Sequence, residues 1–319
     1  KPKLEKIVSL LREFTEYYGY KENKYDALLN QFEEGLTVKK VDKLFNELKE
    51  GILNLLGRIK NSTKVVNSKL LEGKYPIEAQ KELSEYLLDV IKFDKEAGRL
   101  DETTHPFTLN MGNKDVRITT HYYEDNLLSN NFSIVHEGGH ALYEQHIPDT
   151  LVNTGLDGGA SMGIHESQSR FYENIVGRSK EFLNFILPHI KEKFPSLSDI
   201  TLDEFYEGVN CVKPSLIRIE GDELTYSLHI IIRYEIEKAL INGEIEVGDL
   251  PKVWNKKYEE YLGVTPQDDE EGVLQDMHWS AGNIGYFPSY ALGNLYGGQF
   301  LNKMLKDNPS VMSELANGD

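Results

Sequence analysis

Apolar residues recur at the helical period along much of this chain. Val38, Val41, Leu44, Phe45, Leu48, Ile52, Leu55, Leu56 and Ile59 hold that spacing for roughly six turns, and Thr37 before them suits an N-cap. Lys3 to Tyr18 and Ile77 to Phe93 repeat the pattern, with charged opposite faces that read as solvated surface. The period changes at Phe107. Phe107-Thr108-Leu109-Asn110 and Val116-Arg117-Ile118-Thr119-Thr120 flank Gly112-Asn113-Lys114, which predicts a β-hairpin or a pair of short strands. Helical spacing returns over Asp203 to Val212, Glu223 to Leu240, Leu250 to Tyr261 and Ala291 to Lys306, with a polar loop from Pro266 to Glu271. The chain therefore reads as mainly α with one small β element.

The segment after the strands carries the chemistry. Phe132, Ile134, Val135, Ala141 and Leu142 give it an apolar side, Ser129-Asn130-Asn131 can supply its N-cap, and it contains His136-Glu137-Gly138-Gly139-His140. In a helix, residues four apart share a face, so the two imidazoles point at one spot. Glu137 lies about 100° round the helix, beside a metal ion and not on it, where it can take a proton from attacking water. Two glycines inside a helix cost about 1 kcal/mol each relative to alanine. Their presence predicts close approach of backbone or substrate at that point.

A catalytic zinc site takes three protein ligands and leaves one position open. His146 has the spacing of the metzincin third histidine, but that pattern needs a glycine where this chain has Tyr143. The stretch Ala141 to Gln145 reads as continued helix, which carries His146 away. Glu166 is the better third ligand. It sits in a predicted second helix, Met162 to Asn174, after a loop from Asp149 to Gly163 long enough to fold that helix back across the first. His165 next to it is a weaker candidate, turned about 100° from Glu166. The donor set His136, His140 and Glu166 predicts a metal-dependent hydrolase.

Composition narrows the setting. The 319 residues include 35 basic and 52 acidic side chains, a formal charge of −17, which repels phosphate backbones and anionic membranes. No nucleic-acid or membrane partner is expected. The lone cysteine, Cys211, fits a reducing cytoplasm. No apolar run approaches the ~18 residues of a membrane span, and nothing resembles a signal peptide. The chain begins Lys1-Pro2-Lys3 without an initiator methionine and closes on Asn317-Gly318-Asp319, so both ends are expected to be trimmed.

Six strings in one order carry a family resemblance. They are His105-Pro106-Phe107, Asp115-Val116-Arg117-Ile118-Thr119, the H-E-G-G-H segment running into Ala141-Leu142-Tyr143-Glu144-Gln145, His165-Glu166-Ser167-Gln168-Ser169-Arg170, Ile217-Arg218-Ile219-Glu220-Gly221-Asp222, and Gly272-Val273-Leu274-Gln275-Asp276-Met277-His278-Trp279. The chain resembles the M32 metallocarboxypeptidases, the thermostable carboxypeptidase 1 family, from His105 to about Gly298. Gly221 departs from the alanine of the family pattern, a small-for-small change that should leave Arg218 and Asp222 in place. Members of the family are also considerably longer, so the chain is expected to be a shortened member or a fragment.

The resemblance implies an elongated, mostly helical zincin with a deep groove, neurolysin-like and similar to angiotensin-converting enzyme. Residues 1–100 would wall the groove and residues 101–319 would form the catalytic portion, in one continuous domain. It implies one divalent ion per chain, zinc or cobalt, a homodimer, and removal of single residues from peptides with a free C-terminus. Arg218 is implied as the group that binds the substrate's terminal carboxylate, since a guanidinium pairs well with one; the ordinary alternative is a surface salt bridge to Glu220 or Asp222. His278 and Tyr286 are implied as donors to the developing oxyanion, with a core aromatic as the alternative for Tyr286. Asp115 and Arg117 share a strand face and read as structural, whereas His105 reads either as an orienter of a ligand or as part of a His-Pro turn. Two rivals stand beside this reading: an endo-acting oligopeptidase of the neurolysin type with the same metal chemistry, and a non-catalytic helical module with a residual metal site.

Overall fold

The computed structural model describes residues 1–112 and 114–318. Asn113, which the sequence places in the turn between the two strands, lies outside the described residues, as does Asp319. In chain order the regular elements are α1 (Pro2–Tyr18), α2 (Asp26–Phe32), α3 (Val38–Lys60), α4 (Ile77–Val90), β1 (Gly98–Glu102), β2 (Thr108–Asn110), β3 (Val116–Thr120), α5 (Leu127–Gln145), α6 (Met162–Arg170), α7 (Lys180–Lys193), α8 (Leu202–Val209), α9 (Tyr226–Asn242), α10 (Leu250–Leu262), α11 (Pro288–Asp307) and α12 (Val311–Leu315). The fold is mainly helical with one small sheet. No helix among the described residues is long and apolar enough to cross a membrane.

The chain folds as two compact units. The first comprises Lys1–Lys64, Ser161–Gly163 and Val212–Ala291. Its spine is α9, on which α1, α3 and α10 pack. Leu228, Ile230, Ile231, Ile232, Tyr234 and Ile236 are buried on every side of α9, as expected for a helix apolar all round. The predicted start at Glu223 is late in the structure, because Asp222 holds a turn first. Its carboxylate accepts from the Leu224 and Thr225 N–H groups, both at 3.0 Å, and the helix opens at Tyr226. In α3, Thr37 caps as predicted, accepting from the Lys40 N–H.

The second unit comprises Val65–Ala160, Ile164–Cys211 and Leu292–Asp319. Its sheet runs β1-β3-β2. The predicted strands pair antiparallel, Thr108 opposite Ile118 and Asn110 opposite Val116. The sheet gains a strand that the sequence did not signal: β1 lies parallel to β3, with Gly98 opposite Val116. Its sequence, GRLDE, has a single large apolar residue and so no alternation to detect. Val116 and Ile118 turn into a core shared with Leu83, Leu87, Leu88 and Ile91 of the α4 region and with Ile134, Val135, Ala141 and Leu142 of α5. Helix α5 is thereby clamped between the sheet and α4, which fixes the segment bearing the two histidines.

One expectation needs correction, and one helix was not foreseen. Helix α5 begins at Leu127, not after Ser129-Asn130-Asn131, because the Asn126 side chain accepts the Ser129 N–H at 3.1 Å. Asn130 lies inside the helix instead, buried against Ser84 and Thr120. Helix α7 also carried no clear signal, since Pro188 sits within it and breaks the sequence rule for a helix interior.

Candidate metal centre

The second unit brings His136, His140 and Glu166 together. One ligand atom from each lies within 4.8 Å of the others, and His140 Nε2 is 3.5 Å from Glu166 Oε2. Helix α5 supplies both histidines and α6 supplies the carboxylate. The two helices meet at Gly139, where an added methyl would come within 2.8 Å of the Gln168 carbonyl oxygen and Ser169 Cα. At Gly138 a methyl would strike the Ile91 side chain at 2.2 Å. The predicted close approach at this glycine pair is therefore backbone against backbone at one residue and core packing at the other.

The surroundings fix each group. His136 Nδ1 is 2.8 Å from Glu173 Oε2, which leaves Nε2 for an ion. Arg170 donates to Glu166 Oε1 at 2.8 Å and to Glu173 Oε2 at 2.9 Å, and Arg178 stands 3.5 Å from the other Glu173 oxygen. Burial alone would push the Glu166 carboxyl up, but Arg170 and the two histidines outweigh it and hold the pKa at about 2. The same balance, led by Arg170 and His136, keeps Glu173 far below the usual carboxylate range. Burial pulls both histidines down; Glu173 and Glu166 reverse this at His136, which ends raised, whereas His140 stays lowered. Glu166 is thus a charged, oriented donor.

Glu137 is buried, and its carboxylate accepts the Thr108 hydroxyl at 2.6 Å, so β2 holds that side chain in place. His140 Nδ1 is 2.7 Å from His165 Nδ1, and His165 Nε2 is 2.6 Å from Glu144 Oε1. His165 accordingly contacts His140 and is not one of the three groups that converge. His146 bonds the Leu142 carbonyl at its own helix end, 2.7 Å away. His105 turns to the Pro106 carbonyl at 2.7 Å, the local-turn alternative. Asp115, just before β3, pairs with Arg117 on the exposed face of that strand.

Arg218, His278 and Tyr286 gather in the first unit. Arg218 is buried, and its Nε and Nη2 both face Asp276 Oδ1, at 2.9 and 2.8 Å. Its Nη1 donates to the Tyr226 phenol at 3.0 Å. The surface bridge to Glu220 or Asp222 is therefore replaced by a buried pair with a residue 58 positions on. Arg233 binds the other Asp276 oxygen, Oδ2, so one carboxylate is held between two guanidiniums. The Arg233 and Arg218 charges hold Asp276 at about 2 against the opposing effect of burial. His278 Nε2 bonds the Tyr290 phenol at 3.0 Å, and the His278 and Tyr286 rings stack at 5.6 Å.

Sequence reasoning missed Glu173, Arg170, Thr108, Glu144, Arg233 and Tyr290. The spacing of Glu166, Arg170 and Glu173 is one helix face and could have been read. Thr108 and Arg233 had no such local signal.

A profile of the Carboxypeptidase Taq (M32) metallopeptidases matches residues 1–319. The chain belongs to that family. Carboxypeptidase 1 of Bacillus subtilis (strain 168) is 50% identical over 319 residues, all of this chain and 64% of the relative. Thermostable carboxypeptidase 1 of Thermus thermophilus is 48% identical over 295 residues, 92% of this chain and 58% of the relative. A solved structure of the Pyrococcus furiosus carboxypeptidase, described as Apo-Mg, superposes with a TM-score of 0.95 at 42% identity, covering 99% of this chain and 64% of that one. The chain thus spans somewhat under two thirds of the length of these relatives.

Proposed function

We propose that this chain is the metal-binding portion of a carboxypeptidase that removes single residues from peptide C-termini. The observation that carries the reading is the convergence of His136, His140 and Glu166, with Glu137 held beside them by Thr108, in a member of an M32 metallopeptidase family. Relatives bear the name carboxypeptidase, which favours exopeptidase action over the endo-acting oligopeptidase and over a non-catalytic module.

The residues fit a divalent ion. A tetrahedral zinc with ligands at about 2.0–2.2 Å sets its donor atoms about 3.3–3.6 Å apart, and the His140–Glu166 pair is separated by 3.5 Å. Zinc, which takes His₂Glu donor sets, is our assignment, with cobalt as the alternative. An ion held there polarises a carbonyl and acidifies water. Glu137 takes a proton from the attacking water and passes it to the leaving amine, as general base and then acid. The Thr108 bond keeps its carboxylate from turning away. Glu166, held ionised, contributes negative charge to the ligand set at neutral pH.

Arg218 is assigned to the substrate's terminal carboxylate. Its Nη1 donates to the Tyr226 hydroxyl and not to a carboxylate, so that donor is the one a substrate carboxylate can win. His278 and Tyr286 are assigned as oxyanion donors. A homodimer in a reducing cytoplasm completes the reading.

The test is a time course on a free-acid peptide with the zinc-loaded protein, followed by mass spectrometry. A ladder of single C-terminal losses, absent on the amidated peptide and weakened by Arg218→Ala, is expected. Internal cuts, or equal cleavage of amidated peptide, would favour the oligopeptidase. Stoichiometric zinc with no turnover would favour the non-catalytic module.

A further inference from the structure

We propose that Glu237 is a positioning residue: each oxygen of its buried carboxylate holds one end of the turn that bears His278 and Tyr286. This rests on the assignment of those two side chains as oxyanion donors.

The turn runs from Asp276, held by Arg218 and Arg233, to Pro288 at the start of α11. Glu237 reaches it from α9, where it is fully buried. Its Oε1 accepts the Trp279 indole N–H at 2.6 Å, and its Oε2 accepts the Gly285 backbone N–H at 2.9 Å. Trp279 directly follows His278, and Gly285 directly precedes Tyr286. One carboxylate thus gathers both ends, and the His278 and Tyr286 rings stack with centroids 5.6 Å apart and 27° between their planes.

A glutamine cannot serve both ends. Indole and backbone N–H groups only donate, so each end needs an acceptor. Glutamine has an oxygen at one end and an NH₂ at the other, and either flip sets N–H against N–H. A carboxyl group keeps an acceptor lone pair on each oxygen whether ionised or protonated, so the pin does not depend on titration. The third partner, the Tyr25 phenol at Oε2, is neutral like the other two. Burying a carboxylate among neutral donors costs free energy that a neutral side chain would avoid. Acceptance at two ends is what the carboxylate adds.

Helix α2 seats the far end of the turn. Gly285 has φ +105°, and an added methyl would come within 2.9 Å of the Leu28 backbone carbonyl. Phe32 meets the Tyr286 ring edge-on at 5.2 Å. The near end depends on the indole, which lies edge-on to Trp254 at 5.8 Å. Freeing either end would let the two rings part, and a displacement of about 1 Å can cost 10²-fold in rate.

Ring contact and kinetics test it. In zinc-loaded protein protonated only at its His and Tyr rings, a cross-relaxation peak joins His278 to Tyr286, identified by its loss in Tyr286→Leu. Glu237→Gln should lose that peak while binding zinc as the parent does. Its kcat on a free-acid peptide should fall about 10- to 100-fold with KM within about threefold, since oxyanion donors act in the transition state. Trp279→Phe, which keeps an aromatic ring and removes the N–H, should move both readouts the same way. A ring contact retained in Glu237→Gln, or in Trp279→Phe where only that variant folds, overturns the proposal. A lost contact with kcat within twofold of the parent overturns the oxyanion assignment instead and leaves the pin standing. In a parent without turnover, the ring contact alone decides.

Discussion

Gly139→Ala tests whether the contact between α5 and α6 builds the metal centre. The new methyl would lie 2.8 Å from the Gln168 carbonyl oxygen and from Ser169 Cα. Both are backbone atoms, so no side chain can rotate away. Reaching an ordinary 3.4 Å contact requires the helices to part by about 0.6 Å. Alanine gains about 1 kcal/mol of helix propensity over glycine, whereas overpacking costs about 1–3 kcal/mol, so the metal-free fold should lose at most ~2 kcal/mol. The ligand set is less tolerant. Glu166 lies on α6 just before the contact, and metal–ligand distances hold to about 0.2 Å. Zinc affinity should fall at least tenfold, about 1.4 kcal/mol or more. Chelator competition measures the affinity, and calorimetric melting of the metal-free protein measures the fold. Gly51→Ala is the control, since nothing lies within 4 Å of its added methyl and the site is exposed on α3. It should gain up to about 1 kcal/mol and leave zinc binding alone. If Gly139→Ala also melts higher and binds zinc as the parent does, the close approach does not position the ligands.

Glu137→Gln should keep the Thr108 hydrogen bond and the zinc stoichiometry while peptide turnover drops about 10²- to 10⁴-fold; unchanged turnover removes Glu137 as the base. Asp276→Asn leaves two buried guanidiniums facing a neutral amide, and urea unfolding should show a loss of about 3–5 kcal/mol. A loss below ~1 kcal/mol would mean that water reaches the pair. The Glu237 carboxyl is pushed up to about 7 by burial, against the pull of Tyr25, the Gly285 N–H and Trp279. A folded-state pKa above the unfolded value gives stability that is present below about pH 4.5 and lost as pH rises through 7. Glu237→Gln should flatten that part of the stability–pH curve, and an identical slope in parent and variant would refute the shift.

The sequence alone determined the local chemistry. Spacing of four placed His136 and His140 on one face and set Glu137 beside them, because helix geometry is the same wherever a helix forms. Apolar periodicity gave most long helices, and alternation gave β2 and β3. Local cues failed where a local rule is overridden: at β1, which pairs without an apolar alternation, and at α7, which accommodates Pro188. Glu166 was legible only as a carboxylate on a second helix; tertiary packing at Gly139 decided that it meets the histidines. The same packing chose Glu173 for His136 and His165 for His140, and packing within the first unit paired Arg218 with buried Asp276 in place of a surface bridge to Glu220 or Asp222. Hydrogen bonds between residues 25 to 58 positions apart leave no periodic trace, because their partners are set by how elements pack and not by the turn of any one of them.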